Sequence, residues 1–428
     1  MENTYRTTAE SWSDNTNRSD EFDVALVPCS DPPTGILTRA HRVIGGDEHV
    51  RGMALEFSRN LSPILVPRVW HHRSSIHRGT NYSRVACAVA VRIFVRMDTV
   101  RWGIIGCGDV TEIKSGPGFT LAEGSELVAV MRRDGAKAAD YAKRHSVARW
   151  YDDGAKLIAD PDVNAIYVAT PPDAHEDYTR LAAQVGKPVY VEKPMARTYD
   201  ECKRMVHLCR QGGSKLFVAY YRRSLPRFLK VKELLENRAI GHVRMVNVRL
   251  YQPTEKADHD PAKLPWRVIP DIAGAGKFLD LASHTLDLLD FLLGPVNRVS
   301  GFAQNQAGLY PAEDVVAGSW VHDGGTVGSG FWCFTTHHRE DVVELIGDRG
   351  RIRFGTFGAD QPVLLESESE SEEFAIDHPP HIQQPMIQAI VNELRGVGGM
   401  SPSTGETAAR TSWVMDEMLR GWRSLRIR

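Results

Sequence analysis

Lysine is absent from residues 1–96, which carry 12 arginines, yet it is common after Met97. Ser, Thr, Asn, Asp and Pro are scattered through its first 35 positions without helical or strand spacing, and later apolar patches such as Ile64-Leu65-Val66 are short enough only for isolated turns or strands. So polar a segment buries too little apolar surface to offset the entropy of ordering, and residues 1–96 are expected to be a poorly ordered N-terminal extension. Met97 is then the expected functional start. The competing reading of the extension is a regulatory or targeting arm.

Other scarcities narrow the class further. The six cysteines, Cys29, Cys87, Cys107, Cys202, Cys209 and Cys333, contain no CxxC pair, which removes the usual zinc frameworks. Reduced thiols in a cytoplasmic protein are the expectation. His337, His338, His378 and His381 have no matching Cys, His or carboxylate set, so no metal is expected. Long apolar runs are missing too: Val85 to Val95 is short and broken by Arg92, which argues against a membrane partner. It also lacks the cleavage-site pattern of a secretory signal. A net charge of -2 gives no electrostatic reason for a nucleic-acid partner.

What is present, from Met97 on, is two domains' worth of pattern. Val100 to Ile105 is a short apolar run suited to a parallel strand buried on both faces. It ends in Gly106-Cys107-Gly108-Asp109-Val110-Thr111, a G-x-G-x-x-T turn. In such a turn the first glycine permits the bend and the second lets backbone amides approach a pyrophosphate. Thr111 replaces the third glycine of the usual fingerprint. A second strand, Glu126 to Val130, runs into Met131-Arg132-Arg133-Asp134. Arg132 stands where an NAD-binding acid belongs, and its guanidinium suits a 2′-phosphate, with Arg133 and Lys137 adding charge. NADP is therefore the expected cofactor, with NAD as the alternative because Asp134 can still take the ribose. The third strand, Val163 to Ala169, stops at Thr170-Pro171-Pro172-Asp173-Ala174-His175, where two prolines turn the chain into a loop at the ligand-binding edge. A fourth strand ends in Glu192-Lys193-Pro194.

The sequence resembles the glucose–fructose oxidoreductase/inositol dehydrogenase (Gfo/Idh/MocA) family. The resemblance rests on GxGxxT at 106–111, ATPPDAH at 169–175, EKPMA at 192–196 and DLASHTLD at 280–287, and it spans 97–428. It implies an α/β plus α+β chain: a Rossmann dinucleotide-binding domain at 97–219, then a substrate-binding and oligomerisation domain at 220–428. The second domain would be an open-faced antiparallel sheet with helices on one face, and the last helix returns to the first domain in one reading. The resemblance places Lys193 beside the nicotinamide and substrate and makes Lys193, Asp280 and His284 the catalytic residues. It extends the cofactor set, Gly106, Cys107, Gly108, Asp109, Val110, Arg132, Arg133, Lys137, Thr170 and Pro171, to His175, Glu192 and Lys193. It further implies a sugar-like substrate and a homo-dimer or homo-tetramer.

The residues support the assignment on their own terms. Asp280, His284 and Asp287 share one helical stripe, with Leu286, Leu289, Leu292 and Leu293 free to pack the other side. Oxidising a carbinol needs a group to take its hydroxyl proton; His284 and Lys193 both suit that role, and the sequence leaves the choice open. Arg222, Arg223, Trp266 and Arg267 are expected at the substrate, joining Asp280 and His284. Short β-rich runs at 243–251, 315–321, 326–334, 342–346 and 351–354 suggest an antiparallel meander, and the acidic run Glu366 to Glu373 a solvated loop or edge strand. The leading expectation is an NADP-dependent oxidoreductase acting on a sugar, polyol or related cyclic alcohol or carbonyl. The alternatives are an NAD-dependent glycoside hydrolase using transient redox and a non-catalytic NAD(P)-binding sensor.

Overall fold

The computed structural model describes residues 97–358, 361–368 and 371–426. The expectation for residues 1–96 lies outside these.

Six strands form the first sheet: β1 (Val100–Ile105), β2 (Ser125–Met131), β3 (Arg149–Tyr151), β4 (Ala165–Val168), β5 (Val189–Val191) and β6 (Leu216–Val218). All pair in parallel in the order β3-β2-β1-β4-β5-β6. This is the doubly wound Rossmann order, and it reverses direction between β1 and β4. The apolar runs form strands here because both faces are covered: every residue of β4, β5 and β6 is buried. On one face Trp102, Phe119, Tyr167 and Tyr190 pack ring against ring, with Phe119 4.9 Å from Tyr167. Local chemistry sets the helix ends. Asp134 caps Gly135–Arg144, and Thr198 caps Tyr199–Gly212, which stops at the left-handed Gly213.

The second sheet has eight strands: β7 (Val243–Tyr251), β8 (Val296–Gln304), β9 (Val315–His322), β10 (Val327–Cys333), β11 (Glu340–Gly347), β12 (Gly350–Phe354), β13 (Val363–Ser367) and β14 (Ser371–Phe374). Its order is β14-β13-β12-β11-β7-β10-β9-β8. The sheet is mostly antiparallel, but the simple meander read from the sequence is corrected in one respect: β7 inserts between β10 and β11 and runs parallel to β10. Parallel neighbours need a long crossover rather than a tight turn. The chain between β7 and β10 supplies it, including the 17-residue helix Lys277–Leu293. β14 lies at the edge, and its acidic Glu372 and Glu373 are exposed, as suits an edge strand.

One face of this sheet is covered. Phe278, on the Lys277–Leu293 helix, meets Trp332 of β10 edge-on at 5.1 Å. The last helix, Gly405–Arg426, packs on β8 and β9 and also on the Tyr199–Gly212 helix flanking the first sheet. Just before it, Ser403 donates its hydroxyl to the Val218 carbonyl at the end of β6. The chain therefore ends by tying the two sheets together. On the opposite face of the second sheet no described element covers Phe302 and Phe331, which are exposed.

Candidate active site

A cleft of about 790 Å³ opens at the carboxyl ends of β1 and β4, where the strand order reverses. Gly106 begins its floor with φ +91, and a Cβ there would come within 3.0 Å of the Ala169 backbone, so only glycine fits. Gly108 is different. Its backbone is extended, and an added Cβ would meet nothing nearer than 3.9 Å, so no protein contact demands glycine. What a side chain there would fill is the cleft itself. Thr111 takes over the work of the missing glycine by local bonding: its hydroxyl accepts from Gly108 N at 2.9 Å and donates to Gly108 O at 2.8 Å. The amides of Asp109 and Val110 make no hydrogen bond among the described residues. An open turn with two uncommitted N–H groups suits the phosphates of a dinucleotide.

Beyond the turn the cleft is cationic. Arg132 extends Nη1 to the Cys107 carbonyl at 3.3 Å, and Arg133 and Lys137 also line the cleft. Asp134 is occupied elsewhere: it accepts from Lys137 N as a helix cap and pairs with Lys137 Nζ at 3.3 Å.

At the other end, residues from distant elements converge. Lys193, just after β5, places Nζ 2.6 Å from Asp280 Oδ1 and 3.0 Å from the Asp280 carbonyl. Arg267 binds the second carboxylate oxygen at 3.1 Å and lies 4.5 Å from the Trp266 ring centroid. Burial works against the Asp280 charge, but Lys193 and Arg267 outweigh it and hold the carboxyl below its ordinary pKa. His284, one turn along the helix, lines the same cleft, with Arg222 Nη1 2.7 Å from its Nδ1. Burial, then Arg222, Lys193 and Lys114, push its pKa well below the ordinary value. Three cations thus surround a neutral ring.

Two family models match the chain: an oxidoreductase family with an NAD-binding Rossmann fold over residues 100–220, and the GFO/IDH/MocA C-terminal domain over 228–353. An oxidoreductase of Formosa agariphila is 37% identical over 319 residues, covering 74% of this chain and 97% of the relative. The chain belongs to the Gfo/Idh/MocA oxidoreductase family. Another member, 1,5-anhydro-D-fructose reductase of Ensifer adhaerens, is 28% identical over 72% of this chain and 91% of its own. Among solved structures, levoglucosan dehydrogenase in complex with NADH and levoglucosan shares the fold with TM-score 0.67 at 22% identity, covering 76% of this chain and 98% of its own. The chain is accordingly an oxidoreductase with an NAD(P)-binding Rossmann domain.

Within this family member, two sequence expectations need correction. Arg223 is buried and does not line the cleft: Nε and Nη2 grip the Asp287 carboxylate at 2.7 Å each, and Nη2 reaches Asp290 at 3.0 Å. Asp287, the third member of the polar stripe, belongs to this clamp and also accepts from Thr411. The helix stripe turns inward because Leu286 and Leu289 bury the same end of the helix. His175 is also fully buried, its nitrogens 2.8 Å from the Thr170 carbonyl and 3.1 Å from the Met195 carbonyl. It braces the Thr170-Pro171 loop from beneath. Burial lowers its pKa even though both carbonyls favour the charged ring.

Glu192 was among the expected cofactor residues, while Gln383, Phe357 and Lys114 went unread in the sequence. Glu192, buried, accepts from Tyr167 Oη and Gln383 Nε2 at 2.6 Å each and from the Lys193 amide at 3.1 Å. Gln383 in turn accepts from Tyr190 Oη. Phe357 packs on Arg222 at 4.7 Å and meets His284 edge-on. Gln383 and Phe357 lie in irregular segments without periodicity, and Gln383 is 191 positions from Glu192, so no local signal marks either. Lys114 had a weak one, as a lone cation following the glycine turn. Among the described residues no group of His, Cys, Asp or Glu is arranged to hold a metal, and no helix is long and apolar enough to cross a membrane.

Proposed function

We propose that this chain is an NADP-dependent oxidoreductase that interconverts an alcohol and a carbonyl on a sugar, polyol or related cyclic substrate. The observation that carries it is the pairing of Lys193 with Asp280 beside His284, across the cleft from the open Gly108 turn. Asp109 and Val110 amides would hold the pyrophosphate, and Arg132, Arg133 and Lys137 the 2′-phosphate. When bound, the nicotinamide supplies or takes the hydride. In the reducing direction the Lys193 ammonium gives its proton to the carbonyl oxygen as hydride reaches the carbon. The resulting amine stays beside Asp280, whose charge Arg267 still compensates. In the oxidising direction the same proton returns to Lys193.

His284 takes the other role. A guanidinium only donates, so Arg222 fixes Nδ1 as the acceptor and leaves the neutral ring its proton on Nε2. His284 is then a hydrogen-bond donor to the substrate oxygen, and Lys193 is the acid and base. Thr170, Pro171, Trp266 and Arg267 complete the walls.

The test is spectrophotometric: purified protein with NADP or NADPH against sugars, diols and ketoses, followed by nicotinamide absorbance. Substrate-dependent traces are the expected result. Flat traces across the panel, with cofactor binding demonstrated, would favour the transient-redox hydrolase or the sensor instead.

The same reading includes a homo-oligomer and a cytoplasmic setting. Phe302 and Phe331, 80% and 54% exposed, lie in one row across the open sheet face, and a second copy would cover them. Cys107, Cys202, Cys209 and Cys333 are free thiols, in keeping with a reducing compartment.

A further inference from the structure

The substrate end of the cleft carries more positive than negative charge. Lys193 and Arg267 meet Asp280 there and Arg222 meets His284, with Glu192, buried, a further carboxylate on the wall. Asp280 is already shared between Lys193 and Arg267, and Glu192 is occupied by Tyr167, Gln383 and the Lys193 amide. Arg222 is left over. Arg222 is 5% exposed, and its interactions are with the Thr356 carbonyl, the His284 ring and the faces of Tyr221 and Phe357. Among the described residues no carboxylate pairs with it. Lys114 is exposed to the cleft and equally lacks a carboxylate partner there. A guanidinium buried this deeply without a counter-ion is costly unless something else supplies the negative charge.

The cofactor phosphates do not account for Arg222. They are drawn to the glycine turn and to Arg132, whereas Arg222 Nη1 lies 2.7 Å from His284 Nδ1. The alkoxide that develops during hydride transfer is met by Lys193. Arg222 therefore serves the His284 side of the cleft, and Lys114, one helical turn after Val110, lines the same cleft from the glycine-turn helix.

We infer that the preferred substrate is a sugar acid, whose carboxylate is held by Arg222, with Lys114 of the same cleft adding charge, while its reacting carbon lies at Lys193. The inference rests on the oxidoreductase reading above and adds the charge of the substrate to it. Arg222 presents its unused Nη2 edge to one carboxylate oxygen, and Lys114 approaches as a point charge. Arg222 would then serve substrate and His284 at once.

The experiment compares matched pairs, glucuronate with glucose and galacturonate with galactose, on the full chain saturated with NADPH. Quenching of the bound nicotinamide's fluorescence reports binding, and absorbance reports turnover with the oxidised cofactor. In the unmodified protein the acid of each pair is expected to bind at least about tenfold more tightly, and more weakly as salt is raised. Arg222→Met is expected to bring the two members of a pair to equal affinity and Lys114→Gln to narrow the gap, with thermal melts confirming that both variants fold. Equal or tighter binding of the neutral sugar to the unmodified protein overturns the inference, whatever the turnover. An undiminished preference for the acid that survives Arg222→Met overturns the assigned subsite. Tight binding of the acid without turnover of any compound overturns the oxidoreductase reading and leaves the charge preference standing.

Discussion

Arg222 donates to Nδ1 of His284 at 2.7 Å, while Asp280, four residues earlier on the same helix, turns instead to Lys193. The stripe read from the sequence as one polar file is thus three separate couples, the third being Asp287 with Arg223. The first orients a lysine. The second holds a histidine neutral.

His284 should therefore not titrate in its ordinary range. Burial and three cations keep its pKa well below 6.5, so it stays neutral as pH falls past that value. The pH profile of kcat/KM should show no acid limb from His284 near 6.5. Arg222→Met removes both the donor and one cation, so the pKa rises and an acid limb moves up toward neutrality. A limb near 6.5 in the unmodified protein that His284→Gln abolishes would contradict this account.

Lys193→Met should cost about 10²–10⁴-fold in kcat, the range for losing a positioned acid or base. Cofactor affinity, measured by fluorescence, should hardly change, because Lys193 bonds to Asp280 rather than to the glycine turn. Loss of cofactor binding comparable to the loss of rate would reassign the residue.

Cofactor choice should reside in Arg132. Arg132→Ala is expected to weaken NADP binding by about tenfold or more, as for a lost charged hydrogen bond, and NAD binding much less. Measured dissociation constants for both nucleotides decide it, and equal losses would point to a general effect on the turn.

Arg223 should matter to stability and not to chemistry. It and Asp287 are 3% and 1% exposed, and removing one partner strands a buried charge. Arg223→Met should lose about 3–5 kcal/mol in denaturant unfolding, with kcat/KM per folded molecule little changed.

Acid should also destabilise the fold through buried rings. His175, His284 and His322 all have lowered pKa values in the folded state. The unfolded chain then takes up protons first as pH falls. Their contribution is fully present above about 6.5 and is lost progressively below it. Melting temperatures should be level above that pH and decline beneath it; a rise on acidification would be inconsistent with neutral buried rings.

Much of this was legible in the chain alone. The parallel strands, the Gly106 turn, the Lys193 strand end and the Asp280–His284 spacing are local patterns, set by steric limits and by side-chain period, and each lies within a few residues of sequence. Arg132 announced a cationic adenosine end for the same reason. The sequence could not say which polar residues face solvent, cleft or core. Arg223 and His175 have the composition of site residues, yet packing turned them inward, where Asp287 and two carbonyls meet them. Gln383 and Phe357 reach the cleft from irregular segments far along the chain. The placement of β7 between β10 and β11 and the partnership of His284 with Arg222 likewise depend on contacts between distant segments. Local sequence chose the elements and supplied the reactive groups; long-range packing decided which of them meet, because burial and counter-charge are properties of a neighbourhood that exists only once the chain has folded.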